Sequence, residues 1–133
     1  MASSGIVAWS ETDASGWIHF TAPMTWAENA EHALCRNLDE SVDVAAFPRK
    51  EVHATFRRPL RAGDAYVVEL VPVRIGSTSV TFTWTVESGG EVCVEGGHTT
   101  VHVSRQGRPS PLPADLRARL EERAAERLPA DRN

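Results

Sequence analysis

The apolar period of this sequence changes once, near residue 49, and that change constrains the fold more than any other feature. Upstream, Pro23 to Leu38 reads PMTWAENAEHALCRNL, with Trp26, Ala27, Ala30, Ala33, Leu34 and Leu38 recurring at helical spacing on one face. Thr25, Glu28, Asn29, His32 and Arg36 take the other face. Thr21 is expected as the N-cap, and Pro23 suits the first helical turn. Three alanines on the apolar stripe let such a helix lie close to a sheet, or be wrapped by one.

Downstream the period is two. Lys50 to Arg58 alternates Val52, Ala54 and Phe56 with polar residues, and after the PLRAGD turn at 59–64 Tyr66, Val68 and Leu70 alternate again. Ser79 to Val86, SVTFTWTV, sets Val80, Phe82, Trp84 and Val86 against threonines, and Ser88-Gly89-Gly90 turns the chain into Glu91 to Ser104. Pro72 cannot donate to a ladder and implies an edge or a bulge. Gly96-Gly97 in mid-run predicts a bulge or a close backbone approach. With Gly5 to Trp9 as a short β-rich run, the order is strand, long helix, then four antiparallel strands.

At 133 residues and 41% hydrophobic content the chain is expected to form one domain, its core at about 6–104. Residues 105–133 then supply a Pro-rich connector, QGRPSPLP, and a terminal amphipathic helix with Leu116, Leu120, Ala124 and Leu128 on one stripe. A net charge of −4 from scattered acids and bases offers no basic face for nucleic acid. Cys35 and Cys93, far apart and outside any CxxC pattern, predict reduced, packed thiols and a cytoplasmic protein. The N-terminal MASSGIVAW has no signal-peptide pattern, and no run reaches the ~20 apolar residues of a membrane helix. His53, His98 and His102 offer no zinc ligand set, no cofactor is expected, and no G-x-S-x-G elbow is present.

The chemistry-bearing stretch is WSETDASGWIHF, residues 9–20. Taken alone, Asp13 is a turn-capping aspartate. Taken with TDASGWIHF, the Trp26 helix, FRRPLRAGD (56–64), VRIGSTSVTF (73–82) and SPLPADLRARL (110–120), the chain resembles the 4-hydroxybenzoyl-CoA thioesterase branch of the hot-dog acyl thioesterases over about residues 6–120. The resemblance implies an α+β hot-dog fold, a five-stranded antiparallel sheet wrapped around a central helix with a short C-terminal helix. It further implies hydrolysis of an acyl-CoA or acyl-carrier-protein thioester at the interface of a homodimer or homotetramer.

Within that resemblance Asp13 is the nucleophile or general base, Gly16 shapes its turn, and the Phe20 backbone NH serves the oxyanion. Glu28 is the acid near Trp26, and Glu31, at the margin of the apolar stripe, is a second helix carboxylate that could assist. Trp17 and His19 line the substrate pocket, while Arg58, Arg74, Gly76, Ser77, Thr78 and Ser79 occupy the carrier-binding region, with Arg57 and Arg61 near in sequence. GST stands where some members carry basic residues, which leaves a carrier protein open as the thiol. Trp17, Trp26, Phe47 and Trp84 are either core or the lining of an aromatic pocket. Two alternatives remain: a hot-dog dehydratase, suggested by His19 before Phe20 and Pro23, and a non-catalytic acyl-binding module.

Overall fold

The computed structural model describes residues 1–131, with side chains described to Glu126. Five antiparallel strands, β1 (Ala2–Ile6), β2 (Arg49–Phe56), β3 (Ala65–Ile75), β4 (Ser79–Ser88) and β5 (Glu91–Val101), form one sheet in the order β1-β3-β4-β5-β2. Helix α1 (Ala22–Leu38) lies across its concave face, and α2 (Ala114–Asp131) packs on β3. This is the hot-dog arrangement.

The period-two pattern explains the sheet's two faces. Register pairs Leu70 with Trp84, Phe82 with His98, and Val86 with Val94, so one face of each strand meets the helix. Val68, Leu70, Val80, Phe82, Trp84, Val86 and Val94 are buried there against Trp26, Ala27, Ala30 and Leu34. Each of the larger side chains contributes roughly 1.5–3 kcal/mol by leaving water. Leu116 and Leu120 are fully buried in the same core, so α2 closes the end of β3 that β1 is too short to cover. Leu128, the fourth member of that expected stripe, lies outside the described side chains.

Several local expectations need correction. The first strand is Ala2–Ile6 rather than 5–9, because Trp9–Glu11 turns as a 3-10 helix. Thr21 is the N-cap of α1 without a side-chain capping bond; its hydroxyl instead meets His19 Nδ1 at 2.7 Å. The last strand stops at Val101, three residues short of Ser104.

Pro72 does sit at a register shift, with Val73 as the extra residue and with β1 already ended at the Ala2–Glu69 pair. Gly96-Gly97, by contrast, stays in regular register, and the bulge of β5 falls at Cys93. The glycines mark close approach instead. A Cβ on Gly96 would stand 2.6 Å from both the His53 carbonyl oxygen and Trp84 Cη2. The backbone oxygen cannot swing aside, so Gly96→Ala is expected to cost about 1–3 kcal/mol in urea denaturation, as overpacking does. No loss would mean that the β2–β5 pairing gives way at His53 as well as the Trp84 ring.

Candidate active site

The stretch from Trp9 to Phe20 folds back on itself. Thr12 bridges Ile18, the Asp13 amide donates to the Trp17 carbonyl at 3.0 Å, and the His19 amide donates to the Glu11 carbonyl at 2.7 Å. Gly16, at φ 86, supplies the left-handed residue that the tip requires. The Ile18 amide then ties this loop to Leu60 at 2.9 Å, and the Arg61 guanidinium stacks 4.2 Å over Trp17. Glu11, not among the expected site residues, pins the loop to α1: its Oε2 accepts from Trp26 Nε1 at 2.5 Å and its Oε1 from the Ala8 amide at 2.8 Å.

Asp13 sits at the loop tip in an Asx turn. Its Oδ1 accepts both the Ser15 amide, at 2.8 Å, and the Ser15 hydroxyl, at 2.5 Å. Those two bonds, the hydroxyl's first, hold its carboxyl below the ordinary value of 3.8, with the His19 charge adding slightly and desolvation opposing. Oδ2 has no partner among the described residues. Within one chain the carboxylate is exposed, beside an open depression of about 640 Å³ bordered by Trp9, Thr12, Gly16 and Ala62.

At the start of α1 the amides are accounted for with one exception. Ala22 N donates to the His19 carbonyl at 3.0 Å, Met24 N to the Thr21 carbonyl at 3.1 Å, and Thr21 N to His19 Nδ1 at 3.2 Å. Among the described residues the Phe20 amide has no acceptor. His19 therefore braces the turn, its ring stacked on Phe20 at 4.7 Å.

From this point a cleft of about 240 Å³ runs along α1. Thr21, Met24, Thr25 and Glu28 form its helical wall, and Arg49, Val52, Trp84 and His98 its sheet wall. Behind it lies a buried ionic cluster. Glu31, 2% exposed, has Oε1 at 2.7 Å from His98 Nε2 and 2.8 Å from Arg49 Nη1; Arg49 Nη2 is 3.3 Å from Glu28 Oε2. Both arginine contacts are close but poorly aligned, so they are ion pairs without well-formed hydrogen bonds. Glu31 thus belongs to the core and Glu28 to the cleft, while Arg49 was missed because nothing in its sequence context points inward. Trp26 is core, stacked on Tyr66 at 4.0 Å, and Phe47 is also buried. Trp84 is buried and also lines the cleft.

The expected carrier-binding residues do not converge within one chain. Arg58 follows β2, pairs with Glu91 at 2.5 Å, and shares the Asp13 end of the sheet. Arg74 and the turn at Gly76, Ser77, Thr78 and Ser79 lie at the opposite end, where Ser79 pairs with Val101. An eight-residue strand separates the ends by roughly 25 Å. That turn is occupied structurally: its Ser77 and Thr78 carbonyls accept from Leu112 and His102, and the Gly76 carbonyl from Arg117. Arg57 pairs with Glu95. His53 lies on the face of the sheet opposite His98, since Val52 rather than His53 is paired with it.

Known proteins share this architecture. A predicted thioesterase from Bacillus stearothermophilus superposes with a TM-score of 0.83 at 25% identity, over 92% of this chain and 95% of that one. The 1,4-dihydroxy-2-naphthoyl-CoA thioesterase from Synechocystis gives 0.79 at 15% identity, over 91% and 95%. A 1,4-dihydroxy-2-naphthoyl-CoA hydrolase of Prochlorococcus marinus is 38% identical over 94 residues, and the match spans 59% of this chain but only 61% of that relative's length. Residues 7–120, which hold the Asp13 loop, α1 and the whole of β2 to β5, match the thioesterase-like superfamily, and the chain belongs to that family.

Proposed function

We propose that this protein hydrolyses an acyl-CoA thioester, with Asp13 as the attacking group and the Phe20 amide as oxyanion donor. The observation that carries the reading is the Phe20 amide, without an acceptor among the described residues, one residue before Thr21 in the cleft's helical wall and on the same folded loop as Asp13. The acyl group occupies the cleft and its thioester carbonyl lies at Phe20. Asp13 Oδ2 adds to the carbonyl carbon, the oxyanion is held by the amide, and collapse expels the thiolate, leaving a mixed anhydride that water hydrolyses. The Ser15 bonds keep Asp13 ionised at neutral pH, the form that the attack requires. Relatives named for naphthoyl-CoA hydrolysis make an aryl acyl group one candidate substrate.

The catalytic unit is a homodimer, at least, in a reduced cytoplasmic setting consistent with the buried free thiols of Cys35 and Cys93. Strand β2 is an open sheet edge with Val52 and Phe56 exposed at 40% and 45%, which invites antiparallel pairing with a second copy. Such two-fold pairing reverses one sheet against the other. It therefore brings the 74–79 end of one protomer beside the Arg58 and Asp13 end of its neighbour, reuniting residues that a single chain separates. It would also cover the exposed Asp13 tip. Phe56→Lys is expected to give a monomer by light scattering at micromolar concentration and to lower thiol release at least ~10-fold. A dimeric variant would place the interface elsewhere. An acyl carrier protein as thiol remains within the same reading, since Arg57 and Arg58 are already paired with Glu95 and Glu91.

The direct test is thiol release from a panel of short, long and aryl acyl-CoA and acyl-carrier-protein thioesters; binding without release across the panel would leave an acyl-binding module. A pH profile adds a second check. Because the Asp13 carboxyl is depressed, the acid limb of kcat/KM is expected below the ordinary carboxylate range, and Ser15→Ala is expected to move that limb upward. For stability the sign is the same: whatever this exposed group contributes is present above its unfolded pKa and lost as pH falls through the folded one. A limb unchanged by Ser15→Ala would detach the activity from Asp13.

A further inference from the structure

The Asx turn at the loop tip gives the two carboxylate oxygens of Asp13 unequal surroundings. Oδ1 accepts from the Ser15 amide at 2.8 Å and from the Ser15 hydroxyl at 2.5 Å, whereas Oδ2 has no partner among the described residues. Oδ2 is therefore the oxygen free to attack, and Oδ1 keeps its two donors while it does so. Once Oδ2 has added to the thioester carbon and the thiolate has left, Oδ1 is the carbonyl oxygen on the aspartyl side of the mixed anhydride. Two electrophilic carbons then compete for water. The acyl carbon has one donor at its oxygen, the Phe20 amide, and Asp13 Cγ has two at its own.

We propose that Ser15 is a catalytic residue for the second half of the reaction, its amide and hydroxyl forming an oxyanion hole at Asp13 Oδ1 that directs water to Asp13 Cγ rather than to the acyl carbon. The inference rests on the reading of Asp13 as the attacking group of a thioesterase. Water adds to Cγ and gives up one proton to solvent, while the electron pair of the Cγ–Oδ1 double bond moves onto Oδ1 between the two Ser15 donors. Collapse re-forms that double bond and breaks Cγ–Oδ2. The acid leaves as a carboxylate that carries Oδ2, and Asp13 keeps the oxygen of the water. The restored carboxyl then loses the second proton, and one of the two protons balances the thiolate expelled in the first step.

Donor geometry and water access both point to Cγ. The two Ser15 distances lie near the ~2.7–3.1 Å of working oxyanion donors. Asp13 borders the outer depression of about 640 Å³, with space for several waters at ~30 Å³ each, while the acyl group fills the narrower cleft of about 240 Å³ along α1. Leaving-group strength works the other way, because the Ser15 bonds lower the basicity of Asp13 and so favour its departure. The extra donor is the larger effect: one oxyanion donor is worth about 10²–10³ in rate, and the two leaving groups are both carboxylates.

The test is a single turnover in H₂¹⁸O with the full-length protein in excess over octanoyl-CoA and, separately, over benzoyl-CoA, read by mass spectrometry of the acid and of the peptide that contains Asp13. The expected result is an unlabelled acid from the first turnover and ¹⁸O in Asp13, with label reaching the acid only on later turnovers. Ser15→Ala keeps the amide donor and removes the hydroxyl. In that variant a burst of thiol is expected, followed by acid formation at least ~10-fold slower than in the wild type, and Ser15→Thr is expected to restore the rate. Label in the first-turnover acid with none in Asp13 would overturn the proposal while leaving thioesterase activity standing. Acid formation at the wild-type rate in Ser15→Ala would overturn the role of Ser15. No thiol from either substrate would remove the thioesterase reading and the proposal together.

Discussion

Asp13→Asn is expected to lower kcat for thioester hydrolysis about 10³-fold or more while leaving the unfolding transition in place. The amide is isosteric and can still accept the Ser15 bonds through its oxygen, so the Asx turn at the loop tip survives. What disappears is the negative charge and the unpartnered Oδ2 lone pair that attacks the carbonyl carbon. A KM within a few-fold of wild type is expected too, because Asp13 lines the outer depression rather than the acyl cleft. Wild-type turnover in this variant would end the assignment, and a large loss accompanied by unfolding would point to a merely structural aspartate.

The second large effect concerns stability. Glu31→Ala is expected to destabilise the fold by about 3–5 kcal/mol, read from urea denaturation near neutral pH. Glu31 Oε1 is the common partner of two buried groups, His98 and Arg49, and truncation leaves both desolvated without their anion. Against the ~5–15 kcal/mol available to an ordinary domain, that is a loss of a fifth or more. Removing one partner of a buried pair costs more than replacing the whole cluster by apolar side chains, which is often neutral or stabilising. A change under about 1 kcal/mol would mean that water reaches Arg49 and His98 freely.

The architecture was legible because its signals are periodic. The 3.6-residue stripe of α1 and the alternation in Ser79–Ser88 each specify one buried face, and one buried face on each element leaves few ways to pack them. Boundaries were less legible where backbone hydrogen bonding decides them. The Gly5–Trp9 run reads as β-rich, yet the Glu11 amide bonds back to the Ala8 carbonyl and turns the chain. Gly96-Gly97 signalled close approach or a bulge with equal force, and only the Trp84 ring and the His53 carbonyl distinguish the two.

The site was legible in part. Asp13, Gly16 and Phe20 fall on one stretch of chain, so sequence order alone brings them into one loop. Arg49 could not be read in this way. It stands at the start of an edge strand among charged neighbours, and it points inward only because the register shift between Arg49 and Glu51 places it opposite Thr100 on the helix-facing side. The carrier-binding residues failed differently: Arg58 and Arg74 look close in sequence, but β3 runs the length of the sheet between them.

The central claim is spatial, that the thioester carbonyl docks at the opening of α1 and the acyl chain follows the helix inward. A crystal structure of the Asp13→Asn variant with an unhydrolysed acyl-CoA measures this directly. The account predicts the thioester oxygen about 3 Å from the Phe20 nitrogen, with the chain running past Met24 and Thr25 toward Trp84. A carbonyl bound elsewhere, with the acyl chain lying in the outer depression beside Trp9, would contradict it.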